Sequence, residues 1–431
     1  MLIQLLACAL FVTPPQDGGP IAFVGARLIP IEGPEIANGV LVVKDGVIAH
    51  VGPTDVTPIP VGAEVRDVGG LVIMPGLVDT HSHIGDVSGG DSTDPIQPDV
   101  RVMDSINVLA SGFQRAQAGG ITTANLMPGS GHLCSGQTVY LKLRDGKTID
   151  DFLVRDADGW IAGGLKMANG TNSRRDPPFP GTRAKSAALM RAEFIAAREY
   201  QKKIARAEGD PEKMPPRDLG QRLEPEVLAG KRIVHHHTHR HDDILTVLRL
   251  QSEFGFRVVL HHVSDAWKVA DEIAAAGAPC SIIVVDSPGG KLEMLDIGFA
   301  NGAALERAGV LVAFHTDDGI TDSRLFLRSA ALAVRAGMSP EQALAGVTLA
   351  AAEMLDLQDR IGSLKAGKDA DFMILDGDPL SIYTKVLETW VEGERVFDRS
   401  DPRDLLWAVG GYGAGEPRTP YSCCGGGWEG E

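Results

Sequence analysis

The residues in this chain best suited to chemistry are histidines and aspartates set at the ends of apolar runs. The segment Met74-Pro-Gly-Leu-Val-Asp-Thr-His-Ser-His83 reads as an apolar strand that ends in His81-x-His83. Side chains two apart leave the same face of a strand, so both imidazoles reach one metal ion. A denser group lies at Ile233-Val-His-His-His-Thr-His-Arg-His-Asp-Asp243, where five histidines crowd a strand terminus. Two further runs follow the same plan: Arg257-Val-Val-Leu-His-His-Val263 and Val310-Leu-Val-Ala-Phe-His-Thr-Asp-Asp318. Neutral imidazoles and carboxylates hold zinc-like ions while leaving a position for water. Such an ion lowers the pKa of its water from about 15.7 to roughly 7 and so supplies hydroxide at neutral pH. With 12 histidines in the chain, an isolated His-x-His would say little; what precedes it matters more.

These residues need a frame that brings strand ends together. Between about Leu71 and Leu355 the chain alternates short β-like runs with helical stretches, the pattern of parallel β/α units. The expected strands are Leu71–Pro75, Ile121–Met127, Gln137–Leu143, Trp160–Met167, Arg232–His237, Arg257–His262, Cys280–Val285 and Val310–His315. Eight such strands make a (β/α)8 TIM-type barrel, whose chemistry sits at the C-terminal strand ends. A long insert between Met167 and Arg232 carries an Ala/Arg/Lys-rich helix, Ala184 to Ala207, and a Pro-bearing linker, Asp210–Arg217. It reads as a lid or docking element, or equally as a plain surface helix.

The two ends have a different texture. Short alternating strands over Ile21–Asp67 are split by Asp45-Gly46, a hairpin signal, and the texture returns at Asp369–Leu375 and Val386–Val396. This predicts a small β-sandwich domain built from both chain ends, residues 20–70 and 362–405, around a barrel of 71–361, with a flexible Gly-rich tail at 406–431.

From Pro-Gly-Leu-Val-Asp79 through His83 the chain resembles the amidohydrolase superfamily of metal-dependent hydrolases. The closing Gly362-Ser-Leu-Lys-Ala-Gly-Lys-Asp-Ala-Asp-Phe372, which leads from barrel to β-domain, carries the same resemblance. It covers nearly the whole chain and looks most like the imidazolonepropionase and dipeptidase-like branch. The likeness implies His81, His83, His237, His262 and Asp317 as metal ligands, with His235 or His236 as rivals to His237 and His261 as rival to His262. For Asp317 the bland alternative is a helix N-cap, a role Asp318 can fill instead. Lys166, in Gly163-Gly-Leu-Lys-Met-Ala-Asn-Gly170, resembles the lysine that some members carboxylate to bridge two ions; unmodified, it is a structural or substrate-binding residue. His239, Arg240, Arg174 and Arg175 are candidates for substrate binding, the arginines through a substrate carboxylate. Gly136-Gln-Thr-Val-Tyr-Leu-Lys142 is similar to a stretch found in a subset of these enzymes, with no role that follows from its residues.

The implied activity is cleavage of a C–N bond (amide, cyclic amide or dipeptide-like) by metal-bound hydroxide, with Asp317 as general base and then acid. One or two divalent ions, zinc foremost, are the expected cofactors. Deamination is the nearest rival, but its usual proton-shuttling Glu three residues after the fifth-strand histidine is replaced by Arg240. Ester or lactone hydrolysis on the same ions stays open, as does an inactive barrel that serves as a binding module.

Composition bounds the rest. The 431 residues carry a formal net charge of −16, which opposes nucleic-acid binding. Five scattered cysteines include no Cys-x-x-Cys pair, so a thiolate zinc site has no support. The apolar run Leu2–Val12 is too short to span a membrane. It reads as the core of a secretory signal within residues 1–19, placing the protein in the periplasm or outside the cell, or else as a mis-assigned start in a cytoplasmic protein. The partner is a small-molecule substrate, and homo-oligomerisation stays open.

Overall fold

The computed structural model describes residues 19–87, 89–156, 158–216, 226–283 and 291–410. The suggested signal segment up to residue 18 and the Gly-rich tail from 411 lie outside the described residues, as do positions 284 and 285 of the seventh expected strand.

In chain order the strands are β1 (Ile21–Leu28), β2 (Ile36–Lys44), β3 (Val47–Pro53), β4 (Glu64–Asp67) and β5 (Val72–Pro75), then β6 (Leu77–Ser82), β7 (Ile121–Leu126), β8 (Cys134–Gln137) and β9 (Val139–Lys142). There follow β10 (Leu165–Ala168), β11 (Val234–Thr238), β12 (Val258–His262), β13 (Cys280–Ile282), β14 (Val312–Phe314), β15 (Phe372–Leu375), β16 (Val386–Val391) and β17 (Glu394–Asp398).

The first five and last three strands share one sheet, in the order β17-β16-β15-β5-β1-β2-β3, with β4 against β1. Two tight turns shape it. Asp45 and Gly46 both have positive φ, as do Glu392 and Gly393, the conformation a two-residue hairpin between right-twisted strands requires. The sheet's core is aromatic: Phe372 stacks on Trp390 at 5.5 Å, and Phe23 meets both edge-on.

Here one expectation is corrected. Leu71–Pro75 is not the first barrel strand; β5 belongs to the end sheet, pairing with β1 and β15. The apolar run is continuous from Leu71 to Val78, so periodicity alone does not reveal where it divides. It divides at Pro75-Gly76, where Pro has no N–H for a ladder and a Cβ on Gly76 would stand 2.2 Å from Thr122. The chain then enters β6, the strand that carries His81.

The middle of the chain folds into a barrel-like cage of two sheets, β14-β13-β12-β11-β10-β8 and β6-β7-β9. Strands β10 to β14 run parallel, as do β6 and β7. The segment expected as one parallel strand, Gln137–Leu143, instead runs antiparallel as the edge of both sheets: β8 against β10 and β9 against β7, with Thr138 between. The ladders do not join into one closed ring. At the seam between β6 and β14 the closure is made by single bonds: Asp317 N–H donates to His81 O at 2.9 Å, and Thr316 donates to Asp79.

Helices cover the outside: α1 (Gly112–Ala118), α2 (Arg183–Arg206), α3 (His241–Phe254), α4 (Ala270–Ala276), α5 (Asn301–Arg307), α6 (Phe326–Arg335), α7 (Pro340–Gly346), α8 (Leu349–Glu353) and α9 (Pro402–Val409). In the long insert, α2 starts at Thr182, whose hydroxyl accepts Lys185 N–H. It buries Met190, Phe194, Ala197 and Tyr200, a stripe at helical spacing, with Phe194 stacked on Phe254 of α3 and on Phe256. The insert helix is thus packed on the flank of the cage. α9 runs to Val409, into the stretch expected as tail. Among the described residues no helix is long and apolar enough to cross a membrane.

Candidate metal centre

Strand ends bring the predicted donors together. At the end of β6, His81 Nε2 and His83 Nε2 lie 3.3 Å apart. Asp317, three residues past β14, places Oδ1 3.3 Å from His81 Nε2 and 2.9 Å from His83 Nε2. Its backbone sits in the left-handed region (φ 48°), held by the bond to His81 O. Lys166 on β10 is fully buried, with Nζ 3.1 Å from His81 Nε2 and 3.0 Å from Met127 Sδ.

Beside this group, His237 at the end of β11, His239 just beyond it, and His262 at the end of β12 form a second one. Their ring centroids are 4.2 Å (His237–His262), 4.6 Å (His237–His239) and 5.0 Å (His239–His262) apart. A left-handed turn at His262 and Val263 lets both His261 and His262 contact the cluster, although neighbours on a strand ordinarily face opposite ways.

Burial is the dominant influence on the titration of this cluster. It holds His81 well below the ordinary imidazole range, reinforced by the charge of Lys166 and by neighbouring imidazoles. Burial does the same for His237, His239 and His262, followed by the adjacent rings for His237 and His262 and by the charge of Lys291 for His239. His315 falls to about 3. These rings are neutral at pH 7, the form that offers a lone pair to a metal. For Asp317 burial acts upward, but the hydrogen bond and charge of His83, with His315 and Lys166, hold the carboxyl below its usual range. Asp79 goes the other way: burial raises it to about 7 against the hydrogen bonds it receives from Thr316 and His81 N–H.

Whether a cation suits these residues can be read from two observations. His83 Nδ1 donates to the carbonyl of Met127 at 2.8 Å, so the neutral ring, the form a metal takes, keeps its N–H there and its lone pair on Nε2. That lone pair faces a carboxylate oxygen at 2.9 Å, an arrangement a shared positive ion resolves. In addition, His237 Nδ1, His239 Nε2 and His262 Nε2 are buried without a hydrogen-bond partner. Ligand bonds of about 2.0–2.2 Å in a tetrahedron separate neighbouring ligand atoms by about 3.3 Å, close to the spacing of His81, His83 and Asp317. The residues fit a divalent metal.

The rival histidines have other partners. His235 is bonded to Tyr140 Oη and to His261, each at 2.9 Å, and His236 Nδ1 meets the carbonyl of His237. His261 lies instead with His81 and His315 in a third group whose spacing would suit an ion. Asp318 caps no helix, contrary to expectation: it accepts Ser323 Oγ, and the cap of the next short helix is Asp322. Arg240 is clamped by Asp242 through two bonds, Arg174 donates to Gly170 O, and Arg175 donates to Gly131 O while lying over Phe179 at 3.7 Å. No bond of these arginines among the described residues reaches the ligand cluster.

Several contributors escape sequence reasoning. Asp79 and Thr316 close the seam; Ser281 links Thr80 to His315; Ser264 holds His239; and Asn172 Nδ2 meets His237 Nε2 at 3.0 Å. Asp79 alone carried a signal, as the acid of the Pro-Gly-Leu-Val-Asp segment.

A family profile described as "Amidohydrolase family" matches residues 153–397. A solved amidohydrolase from Thermotoga maritima MSB8 is 32% identical with a TM-score of 0.81, over 88% of this chain and 100% of that one. The imidazolonepropionase of Deinococcus radiodurans is 28% identical over 79% of this chain and 86% of its own length. The amidohydrolase tasK of Hapsidospora irregularis is 26% identical over 84% of this chain, which spans 40% of that protein.

Proposed function

The chain belongs to the amidohydrolase family, and from that premise we propose that it hydrolyses a C–N bond in a small amide, cyclic amide or dipeptide-like substrate at a centre of one or two divalent ions, zinc foremost. The proposed ligands are His81, His83, Lys166, His237, His262 and Asp317. The observation that carries this reading is the convergence of His83 Nε2 and Asp317 Oδ1, 2.9 Å apart, with His81 Nε2 3.3 Å from both.

A divalent ion bound there supplies Lewis acidity, polarising a carbonyl and acidifying water at neutral pH. Asp317, ionised well below neutrality, takes the proton released as water attacks and returns it to the departing nitrogen. The neutral imidazoles donate lone pairs and exclude bulk water from the floor of the site. Lys166 is proposed to act as a carbamate: its neutral amine adds CO2 and loses a proton, turning a buried cation into an anionic bridge. Arg174, Arg175 and Arg240 are proposed as partners for a substrate carboxylate; His239 lies against His237 and His262, with ring centroids 4.6 and 5.0 Å away. Deamination is disfavoured because Arg240, paired with Asp242, stands where a proton-shuttling carboxylate is needed. We read the cage as a (β/α)8 barrel that begins at β6 rather than at 71 and runs to about 361, and the end sheet, β5 included, as one composite β-domain built from both chain ends.

The test is a hydrolysis screen of N-acyl amino acids, dipeptides and cyclic amides with zinc or manganese added. Turnover of one of these classes supports the proposal, and activity confined to esters refutes it.

A further inference from the structure

We propose that His239 is a metal ligand, completing with His237 and His262 an all-imidazole cation position next to the one formed by His81, His83 and Asp317. The inference rests on the metal-centre reading above and deepens it by giving the second position three neutral nitrogens beside whatever Lys166 supplies.

Each of the three rings is anchored through one nitrogen and unsatisfied at the other. His239 Nδ1 is 2.8 Å from Ser264 Oγ, His262 Nδ1 is 3.3 Å from His315 Nε2, and His237 Nε2 is 3.0 Å from the Asn172 amide, which with its oxygen turned to the ring accepts the Nε2 proton and leaves the lone pair on Nδ1. The remaining nitrogens, His239 Nε2, His237 Nδ1 and His262 Nε2, are buried without a hydrogen-bond partner. Buried polar atoms are nearly always bonded, and three exceptions in one cluster call for a common partner. One ring nitrogen from each residue lies within 4.8 Å of the other two, so a single ion can serve all three. Anchoring the far nitrogen of a ligating imidazole is the usual way its orientation is fixed, and Ser264, itself fully buried, does this for His239.

The placement also explains why His239 makes a poor substrate contact. It is 1% exposed, and its carbonyl is tied down by Asp265 N–H at 3.0 Å. Three neutral imidazoles select borderline metals such as zinc, cobalt or nickel over magnesium or calcium. Loading of this position therefore does not depend on carboxylation of Lys166.

The experiment compares metal content and the visible spectrum of the cobalt-loaded full-length protein for wild type, His239→Ala and Ser264→Ala, with folding checked by circular dichroism. Wild type is expected to hold two equivalents, prepared with or without bicarbonate. His239→Ala should hold one and lose part of the cobalt absorption, and Ser264→Ala should bind the second ion about 10–100-fold more weakly. Two equivalents with an unchanged spectrum in both variants would overturn the role of His239 and leave the metal-centre reading standing. A wild type that binds no cobalt, zinc or manganese would overturn both.

Discussion

Asp79 reaches across the seam between β6 and β14 and takes two bonds from Thr316, one from the hydroxyl at 2.5 Å and one from the backbone N–H at 3.0 Å. The same carboxylate accepts the N–H of His81 at 3.2 Å. This buried side chain, with the Asp317 N–H bond to His81 O, ties together the two strands that carry His81 and Asp317, where no ladder joins them.

Asp79→Ala leaves three buried donors without an acceptor, and we expect a loss of roughly 2–4 kcal/mol. Denaturant unfolding checks the stability. Metal affinity should fall with it, because His81 and Asp317 lose their common reference. An alanine variant as stable as wild type would contradict the role given to Asp79.

Asp317→Asn keeps the shape of the side chain but removes the proton acceptor. Its kcat is expected to fall by about 10²–10⁴. Steady-state kinetics on a substrate found in the screen measures this, and an unchanged kcat would remove Asp317 from proton transfer.

Lys142 on β9 is 1% exposed and binds Asp369 at 2.8 Å and Asp371 at 2.6 Å, joining the cage to the segment that returns to the end sheet. Lys142→Met strands these acids in a buried setting and is expected to cost about 3–5 kcal/mol. Metal content should not change. Calorimetry and metal analysis separate the two effects.

Glu32 accepts bonds from Ser363, Lys368 and Lys365, all in the segment leading back to the end sheet, and these lower its pKa to about 2. A depressed carboxyl stabilises the fold above its unfolded value of 4.5, and the gain disappears as pH falls toward 2. Since Glu32 is a third exposed, screening reduces the gain to about 1 kcal/mol. Thermal scans should find Glu32→Gln less stable than wild type at pH 7, with the gap closing at pH 3.

The convergence of His81, His83 and Asp317 was legible because they stand at the ends of apolar runs, where a spacing of two on one strand fixes a common face. His81-x-His83 needs that periodicity together with the Pro-Gly-Leu-Val-Asp79 segment before it. His237 and Asp317 needed the resemblance as well, since five histidines on one strand end and two adjacent aspartates offer no local criterion for choosing. Three features were not legible. The division of the Leu71–Val78 run between β5 and β6 depends on Thr122 crowding Gly76, a contact 46 positions away. The reversed direction of β8 and β9 has no local signature, because alternation looks the same in both directions. The Asp79–Thr316 pair spans 237 positions and joins residue types common on any surface.

The central claim is that His81, His83 and Asp317 hold a cation, and anomalous diffraction from zinc-loaded crystals tests it most directly. We predict a peak about 2.0–2.2 Å from His81 Nε2, His83 Nε2 and one oxygen of Asp317. A map with no peak among these atoms, in protein that carries zinc elsewhere, would contradict it.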